Sequence, residues 1–157
     1  MNTTEWKASG HFLKFEKYDI FFKDNKNVDK PTLVLLHGYP TASWDYWKMW
    51  KLLSTQFRLI SFDFLGFGYS SKPTDIQYSI HLQTDISESI IKHLDIEQYH
   101  VIAHDYAVSV AQELLARKIE SHSEKLLSIC FLNGGVFAEM HRPLLIQKLM
   151  LSPMGAM

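Results

Sequence analysis

The sequence predicts an α/β fold: a mostly parallel, twisted sheet with an antiparallel N-terminal hairpin and helices between the later strands. Three observations predict it. Short β-favouring runs alternate with segments of helical period; Thr32 to Leu36 is apolar almost throughout, as in a strand buried on both faces; and Leu82, Ile86, Ile90 and Leu94 recur every four residues as an inward helical stripe. Such alternation belongs to sheets whose parallel strands are joined by crossover helices.

Each element has a local reason. Ser9 to Phe15 and Tyr18 to Lys23 form a hairpin pair around Glu16-Lys17. Leu33 to Leu36 is the third strand. Trp44 to Leu53 reads as a helix with Ser43 as its N-cap, and Arg58 to Phe62 as the fourth strand. Ser79 caps the striped helix. Tyr99 to Ala103 is the fifth strand, and Val108, Ala111, Leu114 and Leu115 set the period of a helix reaching about Ile119. Polar Glu120 to Glu124 connects it to a sixth strand, Leu126 to Leu132. A helical tail rich in Met and Leu runs from Pro143 to Met157. No repeat, low-complexity stretch or linker interrupts the chain.

Composition narrows the class. At 157 residues, 46% hydrophobic and 21% charged, the chain is that of an ordinary globular domain. Sixteen basic and 17 acidic residues give a formal charge of −1 with no basic stripe, which argues against nucleic acid or an anionic membrane as partner and suits a small neutral substrate. Cys130 is the single cysteine and is expected in the core. No apolar stretch approaches the roughly 18 residues of a membrane span, and Met1 to Lys7 has no signal-peptide character, so a cytoplasmic protein is the default expectation.

The chemistry concentrates at Ile102-Ala103-His104-Asp105-Tyr106-Ala107, where a strand turns into a helix. This is the layout of a nucleophile elbow, with Asp105 in the place usually held by Ser. A carboxylate there can attack directly, and the helix N-terminus favours its ionised form. The alternative is that Asp105 simply caps the helix. Upstream, His37-Gly38-Tyr39-Pro40 closes the third strand, where Gly38 is expected to allow backbone geometry that other residues resist; it also reads as an ordinary strand-ending turn. Asp63 to Pro73 is a Gly-punctuated loop after the fourth strand. Three loops therefore gather at strand C-termini.

Together these residues resemble the N-terminal half of an α/β-hydrolase of the epoxide hydrolase and haloalkane dehalogenase group. Asp63-Phe64-Leu65-Gly66-Phe67-Gly68, His104-Asp105-Tyr106, Asn133-Gly134-Gly135-Val136-Phe137 and His141-Arg142-Pro143-Leu144-Leu145 look most similar to the mesoderm-specific transcript branch. The resemblance implies an α/β-hydrolase fold ending after strand six, with residues 1–140 as a partial core and 141–157 as the start of a cap. It implies Asp105 as nucleophile, backbone N–H groups of Tyr39 and Tyr106 as the oxyanion hole, a small neutral organic substrate, and neither cofactor nor metal. It also admits an endoplasmic-reticulum location. Ala107 stands where the elbow usually has Gly, so an extra methyl crowds the turn.

A triad of this kind takes an acid and a His after the nucleophile. His122 precedes strand six, at the wrong end of the sheet. His141 follows it, but the resemblance places it in the loop toward the cap. Glu139 is a weak candidate acid and reads more readily as a solvated loop carboxylate. The expected protein is therefore an incomplete, inactive piece of an epoxide-hydrolase-like enzyme. Tyr39 occupies the place where dehalogenases present a halide-binding Asn, and Tyr69, Tyr78 and Tyr106 do not replace cap tyrosines. Two alternatives stand: a non-catalytic short isoform or interaction protein, and a lipid ester or acyl hydrolase.

Overall fold

The computed structural model describes residues 2–136. Its six strands are β1 (His11–Phe15), β2 (Tyr18–Asp24), β3 (Thr32–Leu36), β4 (Arg58–Phe62), β5 (Tyr99–His104) and β6 (Leu126–Leu132). They form one sheet in the order β1-β2-β4-β3-β5-β6. β1 and β2 pair antiparallel, β2 meets β4 antiparallel, and every later pairing is parallel. The helices are α1 (Thr3–Ala8), α2 (Trp47–Leu53, preceded by a 3₁₀ turn over Ser43–Tyr46), α3 (Ile80–His93) and α4 (Tyr106–Ser121).

Strand pleating sends alternate residues to two cores. Val34 and Leu36 of β3, Ile60 and Phe62 of β4 and Val101 and Ala103 of β5 pack with Ile86, Ile90, Val110 and Leu114 of α3 and α4. Leu33, Leu35 and Leu59 face the other way, against Trp6, Tyr46 and Trp50. The sheet is thus covered on both faces, as its apolar central strands require. Ser79 caps α3 as expected, its hydroxyl accepting from the Leu82 N–H at 3.1 Å.

Four details differ from the sequence reading. α1 was not anticipated: Asn2 and Glu5 form a reciprocal capping box, and fully buried Trp6 packs edge-on to Trp50 at 5.1 Å. β1 starts at His11, since Ser9 closes α1. Ser43 is not an N-cap; its hydroxyl accepts the Trp6 indole N–H at 3.1 Å, and the chain enters α2 through the 3₁₀ turn. Cys130 is exposed rather than in the core, because β6 is the outermost strand of the sheet among the described residues. The expected cap segment 141–157 lies outside the described residues. Among the described residues no helix is long and apolar enough to cross a membrane.

Candidate active site

Asp105 joins β5 to α4 with φ 53° and ψ −115°, a region that residues bearing a Cβ rarely occupy. Backbone bonds hold it there: its N–H donates to Leu132 of β6 at 2.9 Å, and its carbonyl accepts from the Val108 N–H at 3.0 Å. Ala107 is fully buried. Asp105 is the residue of the turn with a positive φ.

The carboxylate folds back over this junction. Its Oδ1 accepts from the Tyr106 N–H at 2.6 Å and from the Tyr39 N–H at 2.9 Å. Among the described residues nothing donates to Oδ2. A capping Asp accepts from the second or third N–H of its helix. Asp105 instead takes the first and shares its oxygen with a loop 66 positions away, so capping does not account for the arrangement.

Gly38 makes this approach possible through space rather than backbone freedom. A Cβ there would stand 2.6 Å from the Asp105 Cβ and 3.1 Å from Oδ1. His37, fully buried, then orients the same loop. The Phe64 N–H donates to His37 Nε2 at 3.1 Å, which leaves the proton on Nδ1, and Nδ1–H donates to the Gly38 carbonyl at 2.8 Å. That carbonyl and the Tyr39 N–H belong to one peptide unit, so the ring fixes the plane of the donor. Burial pushes the His37 pKa below its ordinary value and keeps the ring neutral.

Asp63, also fully buried, ties the other two loops together. Its Oδ1 accepts from the Ser43 N–H at 2.7 Å and its Oδ2 from the Tyr69 N–H at 2.7 Å. Gly68, at φ 46°, lies so close that a Cβ would meet Asp63 Oδ2 at 2.0 Å. Gln83 of α3 clamps Leu65, accepting from its N–H at 3.1 Å and donating to its carbonyl at 2.8 Å. Beside the carboxylate the surface is aromatic: Phe67 lies 6.2 Å from the Tyr39 ring and 5.8 Å from the Tyr106 ring, and Phe64 lies 5.7 Å from Tyr106. Burial raises the Tyr106 phenol pKa. Tyr39, Phe67 and Tyr106 thus place aromatic rings beside the carboxylate, over fully buried Phe64.

The structure therefore brings together Asp105, Tyr39 and Tyr106. Glu139 and His141 lie outside the described residues. His122 ends α4 in a left-handed conformation, exposed and at the far end of the sheet. His104 adjoins the site, with Nδ1 3.0 Å from the Cβ position of Gly38, but makes no hydrogen bond to Asp105. The sequence reading passed over Asp63, His37 and Phe67. A polar residue at the end of an apolar strand, as His37 and Asp63 both are, was the available signal.

Comparison with known proteins gives the same architecture. The profile of the alpha/beta hydrolase fold family matches residues 31–153. Mesoderm-specific transcript protein of Mus musculus is 46% identical over 92% of this chain and 45% of its own length. Putative hydrolase LipZ of Mycobacterium tuberculosis is 36% identical over 96% of this chain and 52% of its own. The crystal structure of haloalkane dehalogenase DbeA from Bradyrhizobium elkani matches with a TM-score of 0.72 and 26% identity, over 80% of this chain and 42% of that one. The chain spans about half the length of the curated relatives it matches.

Proposed function

We propose that this chain, which belongs to the α/β-hydrolase family, carries the nucleophile and oxyanion cradle of an epoxide-hydrolase-like enzyme acting on a small neutral organic substrate. One observation carries the reading: two backbone N–H groups converge on Asp105 Oδ1 while Oδ2 receives no hydrogen bond among the described residues. The cradle orients the carboxylate and leaves one oxygen for attack.

In this reading Oδ2 attacks a ring carbon of the epoxide, the bond from that carbon to the ring oxygen breaks, and the alkoxide takes a proton from water. The product is a hydroxyalkyl ester on Asp105 whose carbonyl oxygen, Oδ1, already lies in the cradle. When hydroxide adds to the ester carbonyl carbon, the developing charge falls on Oδ1 and is stabilised by the Tyr39 and Tyr106 N–H groups. That second step uses a base to deprotonate water. None of the described histidines hydrogen-bonds to Asp105, so the described residues serve the alkylation half of the cycle. Tyr39 in place of a halide-holding Asn favours an epoxide over a haloalkane. Ester substrates fit less well, since carboxylate attack on an acyl carbon yields an anhydride.

A second reading, a non-catalytic interaction protein, is supported by β6, the outermost strand among the described residues, where Leu127, Cys130 and Leu132 are exposed. Incubation of the chain with styrene oxide, followed by intact-mass and peptide analysis, separates the two. The expected result is one adduct, confined to Asp105 and absent from Asp105→Asn, with no diol above background. Labelling that persists in Asp105→Asn overturns the nucleophile, and multiple turnovers overturn the half-reaction.

A further inference from the structure

We propose that a cleft at the opposite end of the sheet from Asp105 binds a small amphipathic carboxylate, an anionic head on a short apolar chain. The cleft encloses about 320 Å³ between the last turns of α3 and α4 and the starts of β5 and β6. Its floor is apolar, made by Ile91, Leu114 and Leu126. Its rim is basic: Lys92, Lys118 and Lys125 line it, and none has an ion-pair partner among the described residues. The single carboxylate in the lining, Glu88, is already bonded to Arg117 at 2.7 Å.

Tyr99 points to a ligand independently of the lysines. It is 5% exposed and lines the cleft, yet its hydroxyl makes no hydrogen bond among the described residues. The hydroxyl is not sealed off either, since the one side-chain polar atom both buried and unbonded among the described residues is the Trp44 indole nitrogen. A nearly buried tyrosine normally finds a partner. Here the open direction is the cleft. Burial pushes the phenol pKa up to about 12, so it remains a donor throughout the neutral range. Ser123 Oγ accepts from the Lys125 N–H at 3.3 Å, which leaves its own proton for a ligand.

The choice of carboxylate follows from the balance of surfaces. The C-termini of α3 and α4 contribute partial negative charge. An anion is therefore held by the ammonium groups and the phenol, not by the backbone, and its affinity depends on the lysines. The apolar floor favours a head that brings a chain with it over a fully hydrated inorganic ion.

Titration of the full chain with hexanoate, hexanol and inorganic phosphate, followed by NMR and calorimetry, tests this. Hexanoate is expected to bind saturably, with hexanol and phosphate each at least about tenfold weaker. The double variant Lys118→Gln/Lys125→Gln is expected to lose about tenfold or more in hexanoate affinity with an unchanged circular-dichroism spectrum. Tyr99→Phe is expected to weaken binding several-fold without lowering the urea midpoint, because its hydroxyl bonds to none of the described residues. No saturable binding of hexanoate, equal binding of hexanol, tighter binding of phosphate, or indifference to the lysine changes would each overturn the assignment.

Discussion

Replacing Gly38 by Ala tests whether close approach, rather than backbone freedom, builds the cradle. The added Cβ would stand 2.6 Å from Asp105 Cβ, 3.0 Å from His104 Nδ1 and 3.1 Å from Asp105 Oδ1. Reaching an ordinary carbon contact of about 3.5 Å requires the loop to retreat by about 1 Å. The Tyr39 N–H, now 2.9 Å from Oδ1, then passes beyond hydrogen-bonding distance. A bond to a charged acceptor contributes about 1.5–3 kcal/mol. For a domain of this size that lowers the melting temperature by about 3–12 °C. The styrene oxide labelling rate is expected to fall by about tenfold, since Oδ2 loses its fixed orientation. Gly135→Ala is the matched control: a Cβ there meets nothing within 4 Å among the described residues, and stability should stay within about 0.5 kcal/mol of the parent. If Gly38→Ala melted and labelled like the parent, the steric reasoning would be refuted.

Asp63→Ala leaves the buried Ser43 N–H and the half-buried Tyr69 N–H without their acceptor, the buried one at about 1–3 kcal/mol. Urea denaturation should show a loss of at least about 2 kcal/mol, and a loss under about 1 kcal/mol would mean that the loops are held otherwise. His37 makes stability depend on pH. In the unfolded chain it titrates near 6.5, and burial lowers its value in the fold. Below pH 6.5 the unfolded state takes up a proton that the folded state refuses, so this contribution is complete above that value and declines as pH falls toward the folded value. Urea midpoints from pH 8 to 5 should fall more steeply for the parent than for His37→Gln; parallel profiles would show that His37 does not titrate as argued.

Much of the architecture was legible because its signals are periodic. A continuously apolar Leu33 to Leu36 admits few readings beside a strand covered twice, and Leu82, Ile86, Ile90 and Leu94 mark one helix face. The elbow was legible because a β run meets a helical period at one acidic residue. What escaped depends on partners far away in sequence. α1 has six residues and persists through Trp6, which inserts beside Trp50. Ser43 has every attribute of a cap, but its hydroxyl is engaged by Trp6 from 37 positions upstream. Cys130 sits in a run as apolar as that of β3, and only strand order shows that its own strand lies outermost. The Asp63 knot and the His37–Phe64 bond likewise span loops whose meeting no local pattern encodes.

The bond between the Tyr39 N–H and Asp105 also has a meaning in time. Its 66-position span closes only after β4, α3 and β5 have been laid beside β3. Contacts of such separation are slow to form and come after local helices and the first hairpin. A compact state that keeps its helices while its side-chain packing is loose would hold a normal far-ultraviolet signal and an unassembled cradle. On the proposed role of Asp105, its alkylation would serve as a clock for the end of folding, counting molecules in which the loops have met and passing over those that are merely helical.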